Sequence, residues 1–170
     1  MAINREECIL LLKSYRYIKR YNKILESEKS ELRYNIDSHI FAAFKQYNIP
    51  VWNSISLIND YCVVMKKTMN ICKKSNSDKL YYNILKLLYF NISPCNNKQL
   101  SAQLGLEYTH IHRKINKAVE LFRTNLEKQL IQKEYCKETV SIDNIKNINT
   151  LLIVVTGVAT EYKKYFKVVS

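Results

Sequence analysis

Two glycines and two prolines in 170 residues leave this chain few places to reverse sharply, to bulge, or to wrap a phosphate in a Gly-rich loop. Long helices joined by short polar loops satisfy that shortage. With 47% hydrophobic residues the chain can bury one modest core, at a size usual for a single domain or a small domain with a helical extension. The expected fold class is therefore mainly α: a multi-helix domain with a helix-turn-helix in its C-terminal half, a long N-terminal helix, and a tail whose pattern fits either of two structures.

Three segments emerge along the chain. Residues 1–50 form an N-terminal helical or oligomerisation segment. From Arg5 to about Asn35 there is no Gly or Pro, and Asn4 with Glu6 and Glu7 supplies a helix start. Leu11, Ile18, Leu25 and Leu32 recur every seven residues beside Cys8, Tyr15 and Asn22. That spacing suits a coiled-coil seam between two copies, but the polar Asn22 and Lys29 interrupt it, which favours an amphipathic helix packed within its own chain. A short helix over Asp37–Tyr47 is expected to stop before Pro50.

Residues 51–133 form the proposed DNA-binding domain. Ser54–Ile71 reads as a helix with Leu57, Ile58, Tyr61, Val64, Met65 and Thr68 on one stripe. A polar loop at 73–78 follows, with Ser77 or Asp78 able to cap a helix over Lys79–Phe90, buried through Leu80, Ile84, Leu87 and Leu88. Tyr81, Tyr82, Tyr89 and Phe90 lie at helical spacing, which makes them core rather than a base-stacking platform. The tail, 134–170, holds two β-branched stretches, Thr139–Ile142 and Leu151–Val155, that suit strands; Ile142, Ile145, Ile148 and Leu152 equally suit a helix face. The run Tyr162-Lys163-Lys164-Tyr165-Phe166-Lys167 reads as a solvated end, or as added phosphate contacts.

The segment carrying function is 96–124. A short helix, Asn97–Leu104, ends at Gly105, where a left-handed residue lets the chain turn sharply. Leu100, Leu104, Leu106, Ile111 and Ile115 then form a wedge between two helices, with Ser101 small enough for their crossing. A second helix from about Tyr108 to Leu126 keeps Ile111, Ile115, Ala118, Val119 and Phe122 inward, and so projects Tyr108, Thr109, His112, Arg113, Asn116 and Lys117 outward. That face fits the major groove: Arg takes guanine edges, Asn adenine edges, while Lys, Thr and Tyr hold phosphates. Lys98 and Lys114 would steady the backbone. Glu107 either accepts from a cytosine amino group or favours the positive helix end. An ordinary helical hairpin using Gly105 as a stop is the plainer alternative.

The order small residue, Leu, Gly, Leu, then Ile111 and Ile115 and an Ala-Val-x-Leu-Phe tail resembles the region-4 helix-turn-helix of bacterial sigma factors. More narrowly, Leu10–Leu126 resembles the ArpU-type phage late-gene regulators, through the Tyr/Lys/Arg-rich first helix, Ile-Ser-Leu-Ile-Asn-Asp-Tyr at 55–61 and Tyr-Asn-Ile-Leu-Lys-Leu-Leu-Tyr-Phe at 82–90. The resemblance implies a phage or prophage transcription regulator acting at a promoter, with contacts from Tyr108, Thr109, His112, Arg113, Asn116 and Lys117. It does not extend to the tail after about Lys133.

Charge agrees with that reading. Lys and Arg number 27 against 15 Asp and Glu, a formal net charge of +12, which favours the phosphate backbone of double-stranded DNA as partner. A generally basic protein from a Lys-rich proteome has the same surplus. Five scattered cysteines without a metal-ligand spacing indicate free thiols in a reducing cytoplasm. No cofactor or metal site is expected: His110 and His112 sit two apart, on different sides of a helix, and His39 is remote. No catalytic signature, secretory signal or membrane-length apolar run is present, so neither an enzyme nor a membrane partner is expected. Remaining expected partners are RNA polymerase and a second copy of the chain. The competing function is an adaptor that binds a host protein through the Leu11–Leu32 seam, with the helix-turn-helix as scaffold.

Overall fold

A computed structural model of the chain describes residues 2–26, 42, 45, 51–74, 79–132 and 148–169. Among these, the α-helices are α1 (Arg5–Glu26), α2 (Val51–Lys74), α3 (Lys79–Leu85), α4 (Asn97–Leu104), α5 (Ile111–Gln132) and α6 (Ile148–Val169), and there is no strand. The expected mainly helical class is what the described residues adopt. None of their helices is long and apolar enough to cross a membrane.

Asn4 opens α1 with a reciprocal cap. Its Oδ1 accepts from the Glu7 amide at 2.9 Å, and Glu7 Oε2 accepts from the Asn4 amide at 2.9 Å, which satisfies two donors that a helix start leaves open. The inner face of α1 is wider than a heptad seam: Cys8, Leu11, Leu12, Ser14, Tyr15, Ile18 and Tyr21 are all buried. Its neighbours are this chain's own helices, α6 most extensively, then α2, α5 and the turn after α3. Intramolecular packing therefore accounts for the heptad pattern as far as Ile18, and Tyr21 takes the buried place that a strict repeat gives to Asn22. Lys29 and Leu32 lie outside the described residues, as does the Asp37–Tyr47 segment apart from helical Ala42 and Lys45.

α2 begins directly after Pro50, and Leu57, Ile58, Tyr61, Val64, Met65 and Thr68 are buried as the stripe predicts, joined by Met69 and Cys72. Tyr61 donates from its hydroxyl to the Leu11 carbonyl, tying α2 to α1. After α3 the helix does not continue in the expected register. Lys86–Phe90 is a π-helical turn, closed by the Asn91 amide on the Lys86 carbonyl at 2.9 Å, and Arg16 donates to the Leu88 carbonyl inside it. The extra residue rotates the chain. Ile84 and Leu85 are the buried pair, while Leu80, Leu87 and Leu88 are only half-buried. Phe90 consequently joins an aromatic chain, with ring centroids 4.5 Å from Tyr15 and 6.0 Å from Phe122, and Tyr15 in turn 6.2 Å from Tyr61. The proposed cap at Ser77 or Asp78 lies outside the described residues.

In the tail, the described part is helical. Leu151, Val154, Val155, Val158, Ala159 and Tyr162 are buried at i, i+3, i+4 spacing, so packing on α1 and α2 overrides the strand preference of the valines. Thr156 and Thr160 donate to the Leu152 and Thr156 carbonyls at 2.6 and 2.7 Å, which absorbs their polarity within the helix. Lys163 lies 5.8 Å from the Tyr17 ring centroid and Lys164 pairs with Glu161 at 3.2 Å. Thr139–Ile142 and Ile145 lie outside the described residues.

Two outcomes follow from this core. Phe122→Ala removes a fully buried ring that packs on Phe90 of the π turn, and should cost about 3–5 kcal/mol in urea unfolding. Burial pushes the Cys8 thiol from 9.0 up to about 12 and the Tyr15 hydroxyl from 10.0 up to about 12. Well below pH 9 both groups are protonated in either state. Above it the unfolded chain releases protons that the fold retains, so stability falls as pH rises from 9 toward 12. Urea midpoints across that range should show the decline, and Cys8→Ala should flatten its first part.

Candidate nucleic-acid interface

The site begins with the chemistry of one short helix. Asn96 caps α4, its Oδ1 accepting from the Gln99 amide at 2.8 Å while Gln99 Oε1 accepts from the Asn96 amide at 3.0 Å. At the other end Gly105 takes φ 62° and ψ 31°, the left-handed conformation expected of it, and both its amide and that of Leu106 reach the Ser101 carbonyl. The chain thereby reverses within a few residues. A 3₁₀ turn at Tyr108–His110 follows and runs straight into α5.

Leu100, Ser101 and Ile111 are buried and Leu104, Leu106 and Ile115 half-buried, which is the wedge that the sequence predicts between α4 and α5. Further along, Ala118, Val119, Phe122, Leu126 and Leu130 bury the inner face of α5 against α2 and α3. With one side held, the helical period leaves the other in solvent. Tyr108, Thr109, His112, Arg113, Asn116 and Lys117 are all exposed, and Tyr108 keeps 57% of its surface, too much for a core ring. Lys98 is exposed on α4, and Lys114 is half-buried. Gly105, Leu106, Glu107, His110, Arg113 and Lys114 line an open depression of about 450 Å³ at the turn, so Lys114 stands beside Arg113.

No family model, curated protein or solved structure matches this chain.

The acidic groups near this face are engaged. Glu107 Oε2 stands 3.3 Å from His110 Nε2. Glu120 binds Arg123, and the same guanidinium reaches Glu127 Oε1 at 2.8 Å and the Ile3 carbonyl at 3.0 Å; the bond from Arg123 holds the Glu120 carboxyl below its ordinary range. Arg123 is thus a clamp for the segment that enters α1, and the positive charge on the first two turns of α5 comes from Arg113, Lys114 and Lys117, for which no ion pair forms among the described residues. Two further residues escaped the sequence reading. Ile3 is buried against α5, with its amide donating to Glu127 Oε1 at 2.8 Å, and Arg5 donates to Asn116 Oδ1. Both contacts span more than a hundred positions, and no local spacing announces them.

Among the described residues no group of three His, Cys, Asp or Glu side chains is placed to hold a metal ion. Cys8 and Cys95 carry free thiols, and Cys136 lies outside the described residues.

A β-carbon at Gly105 would meet nothing within 4 Å, so only its backbone conformation resists substitution. Gly105→Ala should lower stability by about 1 kcal/mol, and Gly105→Asn by less, because Asn tolerates the left-handed region. Urea unfolding of the two variants measures the difference.

Proposed function

We propose that this chain is a sequence-specific, double-stranded DNA-binding transcription regulator, of the kind that the ArpU-type phage late-gene regulators represent, with α5 as its recognition helix. The observation that carries the reading is a single one: His112, Arg113, Asn116 and Lys117 stand exposed on a helix whose other side is packed into the core, with Tyr108 and Thr109 exposed on the 3₁₀ turn that leads into it. The left-handed turn at Gly105 sets α4 across the start of that helix, as a helix-turn-helix requires. Arg113 and Asn116 are then placed for base edges, and Lys98, Lys114 and Lys117 with Tyr108 and Thr109 for phosphates. His112 lies between them on the groove side.

Of the seam that the adaptor reading would use, Leu11 and Ile18 are buried against this chain's own helices, whereas Leu32 lies outside the described residues. The same burial removes that part of α1 as a dimer seam. A second copy or RNA polymerase would have to dock elsewhere on the molecule.

Selection of bound duplexes from a random pool, followed by titration at two salt concentrations, tests the assignment. A defined motif should emerge. Arg113→Ala should relax one base position, at a cost of about 1–3 kcal/mol, whereas Lys117→Ala should weaken binding to all sequences and reduce the salt slope by about 1. Failure to enrich any motif, or two variants that bind like the parent, would overturn it.

A further inference from the structure

A carboxamide is the usual partner of adenine, because it sets an acceptor against the N6 amino group and a donor against N7. Asn116 is not free to present both. Arg5, in the first turn of α1, donates from Nη2 to Asn116 Oδ1. A guanidinium carries donors only, so the amide oxygen faces Arg5 and the amide NH₂ faces away. Arg5 is also held in place from behind. Ile3, two residues earlier, is 1% exposed, and its amide and carbonyl bond to Glu127 and Arg123 on α5 at 2.8 and 3.0 Å. Asn4 and Glu7 cap the helix on either side of it. The first turn of α1 is therefore fastened along the recognition helix, with two exposed polar side chains meeting at its solvent face.

We infer that Arg5 is a specificity-determining residue that makes Asn116 read guanine rather than adenine. The inference rests on the reading of α5 as the recognition helix. With its oxygen engaged by the Arg5 cation, Asn116 turns only the N–H groups of its amide to a base edge. Guanine presents two acceptors, O6 and N7, either of which accepts from that amide. Adenine presents its N6 amino group, a donor, where Asn116 has no acceptor left to offer, and that mismatch disfavours it. Arg5 acts by positioning Asn116, so its effect belongs to one base position and not to overall affinity.

The test is selection from a random duplex pool with the parent, Arg5→Ala, Arg5→Lys, Asn116→Ala and the Arg5→Ala/Asn116→Ala double variant, each checked by thermal unfolding. The parent should select guanine at one position. In Arg5→Ala the preference for guanine over adenine there should fall by about fivefold or more, with the other positions unchanged and the unfolding temperature kept. Arg5→Lys retains a donor to Oδ1 and should retain guanine. In the Asn116→Ala background, removing Arg5 should change that position no further. An unaltered motif in Arg5→Ala, or a loss of affinity spread evenly over all positions, would overturn the inference while leaving the DNA-binding reading in place. A parent that enriches no motif would overturn that reading and this inference with it.

Discussion

The exposed polar face of α5 depends on the burial of its opposite side. Phe122 sits fully buried in an aromatic chain that runs through Phe90 and Tyr15 to Tyr61, and so joins α5, the π turn, α1 and α2. Ring pairs at these separations add specific geometry to a large apolar burial. Once Phe122, Val119 and Ala118 are committed inward, residues 112, 113, 116 and 117 have no other place than solvent. The polar face is a consequence of packing on the far side of the helix, and its charge comes from residues that packing cannot use.

A second constraint is local. Asn96, Gln99 and Gly105 fix where α4 starts and stops, through side-chain caps at one end and a left-handed residue at the other. In a chain with two glycines, Gly105 is the one with a positive φ among the described residues. The crossing of α4 over α5 therefore needs few residues to define it. By contrast, the position of α1 depends on distant contacts: the buried Ile3, the Arg123 clamp and the α6 packing.

That difference explains what could be read from sequence. The helices α2, α4 and α5 were legible because their apolar residues recur at helical spacing, with cap chemistry at both ends of α4, and every residue of the expected α2 stripe is buried; α5 itself starts at Ile111, after a 3₁₀ turn, rather than at Tyr108, and runs on to Gln132. The outward set on α5 was legible for the same reason. Register after α3 was not, because a π turn is a response to packing, here Arg16 on the Leu88 carbonyl, and leaves no periodic mark. Nor was the tail: Val154, Val155 and Val158 favour strands locally, and only the surface of α1 decides for a helix. Arg5 and Ile3 were invisible as site residues, since their partners are on α5, more than a hundred positions along the chain.

The central claim is that DNA lies against residues 105–117. Backbone amide shifts of the labelled chain, followed by NMR during titration with a mixed-sequence duplex at low salt, test it without knowledge of the preferred site, because phosphate contacts form on any duplex. The account predicts shifts concentrated at 105–117, at Lys98 and at Arg5, with the exposed side of α6 unmoved. Shifts centred on α6, or none at duplex concentrations that saturate other basic DNA-binding domains, would contradict it.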